Sequence, residues 1–320
     1  MKSPSFSLED LLGASAHALV IGVGGGGDVV GALAAARFLE FSNLRFTLGG
    51  LSWERIVYDP VPGPRQLSEV KNVRVLHPHA WMASRESQTA TGVFFAESRM
   101  SAHLDREVLL IDINGGVEGT AAALETALQR VGADLLVGID VGGDSLARGD
   151  EPRLRSPLAD SIMLAAFAEL DRRGYRTLWG VFGYGSDGEL TTDEIESALS
   201  KLAAAGGLLG AWGLTPRIAA ELREVIKTVP TEASAIPLEC FRGAWGEGKI
   251  RDEQRSVKLT PLTSLTFFMS VAKLYDTLSR PAQALTSSAS LDQANDALHK
   301  LGIRTELDFE RGYRKKMGTE

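Results

Sequence analysis

Cysteine, histidine and aromatic residues are scarce in this chain. Its 320 residues include one cysteine, Cys240, and five histidines, and only 7% of the residues are aromatic. A single cysteine excludes a disulfide within the chain and a cysteine-rich metal site. The closest histidines, His77 and His79, lie two residues apart with no third ligand nearby, which is not a zinc-binding pattern.

An excess of basic residues and long apolar runs are also missing. The net charge of −7 argues against a general binder of nucleic-acid polymers or membrane surfaces, because such proteins normally carry a basic excess. No run approaches the roughly 18 apolar residues that span a membrane, and the N-terminal segment lacks the apolar core of a signal peptide. We therefore expect a cytoplasmic protein whose partner is a small molecule. A homo-oligomer is compatible with the sequence.

Glycine, by contrast, is abundant, with 34 residues that are concentrated in short clusters. Four apolar runs end in a glycine cluster that carries an acidic residue: "ALVIGVGGGGD" (18–28), "EVLLIDINGGVE" (107–118), "DLLVGIDVGGD" (134–144) and "TLWGVFGYGSDGE" (177–189). Continuous apolar runs of this length suit strands that are buried on both faces of a sheet, and a helical pattern follows each run. The sequence predicts an α/β protein, a Rossmann-like three-layer fold with a mostly parallel sheet and helices on both faces.

The domain organisation follows from the absence of a linker. Residues 18–207 carry the strand, glycine-loop and helix repeats, and no Pro-, Ser- or Gly-rich linker separates them from residues 208–307. We expect one α/β domain over residues 1–307, in which the C-terminal part completes the fold, followed by a polar tail over 308–320. The segment 264–279 is predicted to be a helix.

Ligands of open parallel sheets bind beyond the C-terminal ends of the strands, and all four glycine–acid clusters map to that edge. The candidate ligand-binding residues there are Gly24, Gly25, Gly26, Gly27, Asp112, Asn114, Gly115, Gly143 and Asp187. Asp140, Asp144 and Asp28 are the candidate catalytic residues. Asp140 and Asp144 are also candidate Mg²⁺ ligands, because Mg²⁺ favours one or two carboxylates together with phosphate oxygens and water. Each acid alone has an ordinary role at a cap or turn, so the argument rests on their convergence.

The first glycine cluster has the spacing of a dinucleotide fingerprint. Gly22, Gly24 and Gly27 satisfy G-x-G-x-x-G between a strand and a helix, but the second strand, "LRFTLGG", ends without the acid that would hold a ribose. NAD(P) is therefore the less favoured cofactor. Asp28 would compete with a phosphate for the same amides unless a divalent cation lies between them or Asp28 meets a hydroxyl or ammonium group. In the alternative interpretation, Asp28 points back and caps the helix.

Two further loops carry candidate residues. Residues 49–66 form a proline-rich, aromatic loop of the kind that acts as a lid, in which Trp53 is expected to exclude water or stack on a base. Arg65, or Arg148 in the loop 142–161, is expected to neutralise ligand charge. A solvated loop with salt bridges explains the arginines equally well.

The motifs "GGGGDVVGA", "GGLSWERIVYDPVPGPR", "GIDVGGDSLARGDEPRLRSPLADS", "GVFGYGSDGEL" and "TEASAIPLE" together resemble a known family. It is a family of archaeal and bacterial proteins catalogued as domain of unknown function 1152, and the resemblance runs from about residue 18 to residue 307. The resemblance implies one continuous domain and names no substrate.

The residues favour an enzyme, a hydrolase or transferase that acts on a nucleotide, nucleoside or phosphorylated sugar with carboxylate chemistry that Mg²⁺ can assist. The glycine spacing leaves open an NAD(P)- or flavin-dependent oxidoreductase. A third possibility is a non-catalytic nucleotide sensor, whose acids only shape its loops.

Overall fold

The computed structural model describes residues 7–251 and 253–316. The strands are β1 (His17–Gly22), β2 (Arg45–Leu51), β3 (Val70–His77), β4 (Ala80–Thr89), β5 (Val108–Ile111), β6 (Leu135–Val141), β7 (Thr177–Phe182), β8 (Leu208–Gly213), β9 (Gly246–Ile250), β10 (Arg255–Leu259) and β11 (Leu265–Met269). The helices are α1 (Leu8–Gly13), α2 (Asp28–Phe41), α3 (Ala96–Leu104), α4 (Gly116–Val131), α5 (Pro157–Arg172), α6 (Thr192–Ala204), α7 (Pro216–Val225), α8 (Ile236–Phe241), α9 (Val271–Thr277), α10 (Arg280–Ala284), α11 (Leu291–Lys300) and α12 (Glu306–Lys316). None of these helices combines the length and the apolar character that a membrane crossing requires.

Nine strands form the central sheet in the order β3-β4-β5-β2-β1-β6-β7-β11-β8. The five central strands, β5, β2, β1, β6 and β7, pair in parallel, and the two strands on either side of them pair antiparallel. Numbered in chain order, the five parallel strands follow the sequence 3-2-1-4-5, which is the order of the Rossmann fold. The predicted mostly parallel, Rossmann-like sheet is confirmed.

Helices cover both faces of this sheet. Strand β1 is buried along its whole length, and its side chains alternate between two cores. Leu19 and Ile21 pack with residues of α4, α5 and α6 on one face, whereas Ala18 and Val20 pack with residues of α2, α3 and α7 on the other. The predicted three-layer arrangement is therefore confirmed, and the apolar runs are explained by burial on both sides.

The C-terminal part of the chain adds two strands to the same sheet, and here one prediction is wrong. The segment 264–279, predicted to be a single helix, begins with strand β11, and helix α9 starts only at Val271 with Ser270 as its cap. Thr266 and Phe268 are buried, whereas Leu265 and Phe267 are partly exposed. This alternation suits a strand, which β7 and β8 flank on both sides.

The polar segment after residue 307 also differs from the expected tail. Its described part, 308–316, continues helix α12. Glu310 of this helix is buried and accepts hydrogen bonds from Trp53 Nε1 at 3.0 Å and from the Gly63 N–H at 2.8 Å. These contacts hold the helix against the loop 49–66. Residues 317–320 lie outside the described part.

Candidate functional site

Three neighbouring strands deliver acidic side chains to one end of the sheet. Asp28 is the first residue of α2, after β1; Asp140 is the penultimate residue of β6; and Asp187 follows β7. In the strand order 3-2-1-4-5, the connections leave β1 and β6 toward opposite sides of the sheet, which opens a crevice at their C-terminal ends. Adjacent strands are about 4.8 Å apart, so acids at these three ends are close neighbours.

Five buried carboxyl groups form what we call the acidic cluster: Asp140, Asp144, Asp160, Asp187 and Glu189. Oxygen atoms of Asp140, Asp144 and Asp160 all lie within 4.8 Å of one another. The same limit holds for Asp144, Asp187 and Glu189. Asp144 therefore joins two overlapping triads, and each triad has the spacing of ligands around a metal ion.

Glycines in the turn after β6 make this convergence possible. Gly142 and Gly143 adopt φ angles of 121° and 113°, and the turn they form lets Asp140 accept hydrogen bonds from the Gly143 N–H at 3.3 Å and the Ser145 N–H at 3.0 Å. A Cβ on Gly142 would lie 2.3 Å from Cγ of Asp187. Only glycine at this position allows the loop after β7 to bring Asp187 against β6.

The members of the cluster differ in how well their oxygens are satisfied. Oδ1 of Asp160 and Oδ2 of Asp187 are buried and have no hydrogen-bond partner among the described residues. The Asp144 carboxyl group accepts a long hydrogen bond, 3.4 Å, from Ser156 Oγ. An unsatisfied buried oxygen costs about 1–3 kcal/mol, so these open positions indicate that a partner is expected there.

Glu189 is saturated by comparison. It accepts hydrogen bonds from the N–H groups of Arg155 at 2.6 Å and Ser156 at 2.9 Å, and from Arg255 Nη1 at 2.8 Å. The Ser156 hydroxyl also donates to it. Glu189 therefore holds the loop before α5 in place. Because Asp160 keeps an open oxygen and Glu189 does not, the triad of Asp140, Asp144 and Asp160 is the better metal-binding set.

Negative charge dominates the acidic cluster. Burial, and then the charges of neighbouring carboxyl groups, raise the pKa of Asp144, Asp160 and Asp187 well above the usual range. Among the residues that the structure describes, Arg255 is the only basic side chain that forms an ion pair with a member of the cluster. A divalent cation fits this excess of negative charge, and an all-carboxylate ligand set matches hard cations such as Mg²⁺, Mn²⁺ or Ca²⁺.

The glycine loop lies at the mouth of the cluster. The Gly24 N–H donates to Oδ2 of Asp28 at 3.0 Å, and the Gly26 N–H donates to the main-chain oxygen of Trp53 at 2.9 Å. The N–H groups of Gly25 and Gly27 have no acceptor among the described residues. The loop thus keeps two amides open although Asp28 occupies a third.

Asp28 connects this loop to the acidic cluster. A Cβ on Gly24 would lie 2.6 Å from Oδ2 of Asp28 and 3.5 Å from Oδ2 of Asp160. Burial, followed by the charge of Asp140, raises the pKa of Asp28 well above its usual value. Asp28 therefore closes the loop through Gly24 and faces the cluster at the same time.

The structure places the candidates after β5 elsewhere. Oδ1 of Asp112 accepts from the N–H and the side-chain amide of Asn114 at 2.8 and 2.7 Å, and Oδ2 pairs with Nδ1 of His79 at 2.8 Å. A Cβ on Gly115 would lie 3.0 Å from Nε2 of His79. Strands β2 and β1 separate this group from β6, so Asp112, Asn114 and Gly115 do not join the acidic cluster.

The loop candidates also lie away from the cluster. Trp53 is buried with its indole N–H on Glu310, so its ring is not presented to a ligand in this conformation. Arg65 pairs with Asp59 at 3.0 Å and borders a cavity of about 380 Å³. Arg148 borders another cavity, of about 350 Å³. Neither cavity is lined by a member of the acidic cluster.

Several residues of the site were missed by sequence reasoning. Asp160 lies in the first turn of α5 and Glu189 two residues after Asp187. A search for acids in the first turns of helices, as well as after strand ends, finds both. Arg251 and Arg255, on the hairpin β9–β10, carry no comparable signal. Their place in the site depends on tertiary contacts alone.

A second pair of buried carboxyl groups lies beyond β2. Burial raises the pKa of Glu54 to about 7, although the Ala96 N–H that donates to it acts in the opposite direction. Both side-chain oxygens of Glu97 are buried and have no partner among the described residues. Burial and the charge of Glu54 raise the pKa of Glu97 well above its usual value.

Comparison with known proteins gives one match. The family model described as "Protein of unknown function (DUF1152)" matches residues 19–314. No curated protein and no solved structure matches the chain.

Proposed function

The chain belongs to the family of proteins of unknown function DUF1152, and we propose that it is a metal-assisted hydrolase or transferase acting on a nucleotide, nucleoside or phosphorylated sugar. One observation carries the proposal. A cluster of buried carboxyl groups, two of which have an unpartnered oxygen, comes close to Gly24 through Asp160. Gly24 belongs to a glycine loop that has two open N–H groups, at the crevice of a Rossmann-type sheet. This combination suits a ligand that offers an anion and a divalent cation together.

Asp140, Asp144 and Asp160 would hold the cation, since their oxygens lie within 4.8 Å of one another and Oδ1 of Asp160 has no partner among the described residues. When bound, such a cation neutralises charge that develops on a phosphate and polarises the bond under attack. The open amides of Gly25 and Gly27 would hold the phosphate, as helix N-termini commonly do.

Asp28 is the proposed general base. It lies between the loop and the cluster, and burial raises its pKa, which makes the ionised carboxylate a stronger proton acceptor. The carboxylate next to the phosphate loop therefore has a role that an all-glycine loop would not supply.

The two alternatives make different demands on the site. An oxidoreductase would need an acid at the end of β2 to hold a ribose. The nearest one, Glu54, is buried with its carboxyl group on the Ala96 N–H. A non-catalytic sensor would use the same loop and cluster without turnover.

The test is a thermal-shift screen of nucleotides, nucleosides and sugar phosphates with and without Mg²⁺, on wild type, Asp140→Asn and the exposed control Asp276→Asn. Binding at 100 times Kd adds about 2.7 kcal/mol to the free energy of unfolding. We expect a Mg²⁺-dependent shift in wild type and in the control that Asp140→Asn lacks, followed by turnover of the ligand that binds. No shift with any phosphorylated ligand would reject the proposal. A fluorescence change on NADH titration would favour the oxidoreductase, and binding without turnover would favour the sensor.

A further inference from the structure

Two arginines share one carboxylate beside the glycine loop. Nη1 of Arg55 lies 3.7 Å and Nη1 of Arg251 lies 3.4 Å from Oε2 of Glu232. The Arg251 main-chain N–H donates to Oε1 of the same residue at 3.3 Å. All three contacts are longer than good charge-assisted hydrogen bonds, which measure about 2.7–2.9 Å. Glu232 is therefore held loosely.

The same segment touches the glycine loop directly. A Cβ on Gly27 would lie 2.3 Å from Cβ of Thr231, and the Ser234 hydroxyl donates to the Gly27 carbonyl at 3.1 Å. A Cβ on Gly26 would lie 3.5 Å from Cγ of Arg55. Arg55 and the segment that carries Glu232 thus lie next to the glycine loop, and Arg251 reaches this place through its contact with Glu232.

Positive charge is in excess at this point. Arg255, on the same hairpin as Arg251, is taken up by Glu189 at 2.8 Å, which leaves Arg55 and Arg251 with the single charge of Glu232. Burial, and then the charges of Arg55 and Arg255, lower the pKa of Arg251. A guanidinium that is only partly neutralised and three-quarters shielded from water favours an additional anion.

We propose that Arg55 and Arg251 bind a phosphate group of the ligand, and that Glu232 occupies this anion position until the phosphate displaces it. The inference rests on the proposed function and narrows it. The ligand must carry a phosphate, which removes unphosphorylated nucleosides from the candidates. In this arrangement the phosphate lies between the two arginines on one side and the cation-binding triad on the other, and the amides of Gly25 and Gly27 are further donors.

The probe is inorganic phosphate, titrated calorimetrically with and without Mg²⁺ into wild type, Arg251→Gln, Glu232→Gln and Lys258→Gln. Lys258 is exposed on the same hairpin, so its replacement is a matched charge control. We expect Arg251→Gln to weaken phosphate binding about tenfold or more, because it removes a charge-assisted donor. Glu232→Gln should strengthen binding several-fold, and Lys258→Gln should leave it unchanged. Mg²⁺ titrated alone should bind all four proteins equally.

The arms of this experiment separate the two proposals. Equal phosphate affinity in wild type and Arg251→Gln would overturn the phosphate site, whatever Mg²⁺ does. Weaker phosphate binding by Glu232→Gln would overturn the displacement of Glu232 by phosphate. This variant keeps Arg251, so it tests the proposal even if Arg251→Gln fails to fold. Phosphate binding that needs Arg251, in a protein that binds no Mg²⁺, would support the phosphate site and reject the metal-assisted function.

Discussion

Replacing Asp160 with asparagine is expected to stabilise the metal-free protein and to abolish its response to divalent cations. Asp160 is buried, one of its oxygens has no partner, and burial with the charges of Asp140 and Asp28 raises its pKa. Because the folded-state pKa lies above the unfolded value, the native wild type binds more protons than the unfolded chain, and its stability falls as the pH rises through that window. Asparagine has the same shape and never ionises.

The size of the effect follows from the open oxygen. An unsatisfied buried polar group costs about 1–3 kcal/mol, and the asparagine amide can donate to the neighbouring carboxylates. With an unfolding entropy of about 2.1 cal/mol/K per residue over 320 residues, the melting temperature should rise by roughly 1.5–4.5 °C at alkaline pH. The difference should shrink toward the acidic end of the pH range, because protonation removes the buried charge of wild-type Asp160. A bound cation should favour wild type instead. At 100 times its Kd it adds about 2.7 kcal/mol to the free energy of unfolding, or roughly 4 °C to the melting temperature, in wild type only.

The assay is thermal unfolding from about pH 5 to about pH 9, in EDTA and in excess Mg²⁺ or Mn²⁺. Asp134→Asn is the control with the opposite sign. Burial of Asp134 works against ionisation, but the N–H groups of His17 and Ala16 outweigh it and lower the pKa of this carboxyl group. The stability that it contributes is lost on acidification, so its replacement should destabilise at neutral pH. The reasoning fails if Asp160→Asn melts below wild type in EDTA at alkaline pH, or if both proteins gain equally from the cation.

Three further predictions concern the framework of the site. Gly22→Ala should lower the free energy of unfolding by about 1–3 kcal/mol, because the new Cβ would lie 2.5 Å from backbone atoms at the start of α2. The control Gly13→Ala, with open space around it, should change the free energy of unfolding by less than about 0.5 kcal/mol. Equal effects of the two variants in urea unfolding would contradict this prediction. Glu189→Ala should lower the free energy of unfolding by at least about 2 kcal/mol, since it leaves a partly buried arginine and two N–H donors without their acceptor. The exposed control Glu253→Ala should lower it by less than about 0.5 kcal/mol. A small effect of Glu189→Ala in the same assay would show that other contacts hold the loop before α5. In wild type, the free energy of unfolding should fall by on the order of 3 kcal/mol as the pH rises from the ordinary pKa of Glu54, 4.5, to its raised pKa of about 7. Glu54→Gln should not show this fall. Parallel stability–pH curves for the two proteins would refute the raised pKa.

The sequence was sufficient for the centre of the fold because burial on both faces leaves a strong local signal. The apolar runs at 18–28, 107–118, 134–144 and 177–189 each contain a parallel strand of the sheet. For the antiparallel strand β11 the sequence predicts a helix instead, because a short apolar segment next to a helical one has no periodicity of its own over enough residues. Its identity as a strand follows from pairing with β7 and β8, which lie far away in sequence.

The site was predictable only as far as strand adjacency could be inferred. Every parallel strand sends its C-terminal loop to the same edge, so Asp112 and Asp140 looked equivalent in the sequence. The order 3-2-1-4-5 places β5 three strands from β6, which at about 4.8 Å per strand is roughly 14 Å, and this distance separates Asp112 from the cluster. The same order makes β1, β6 and β7 neighbours and brings together Asp28, Asp140 and Asp187. The arginines are a step further from the sequence, since Arg55 and Arg251 are almost two hundred positions apart and meet only through Glu232. Their convergence on the glycine loop is a property of the tertiary fold, and it explains how a loop that also carries Asp28 can still receive an anion.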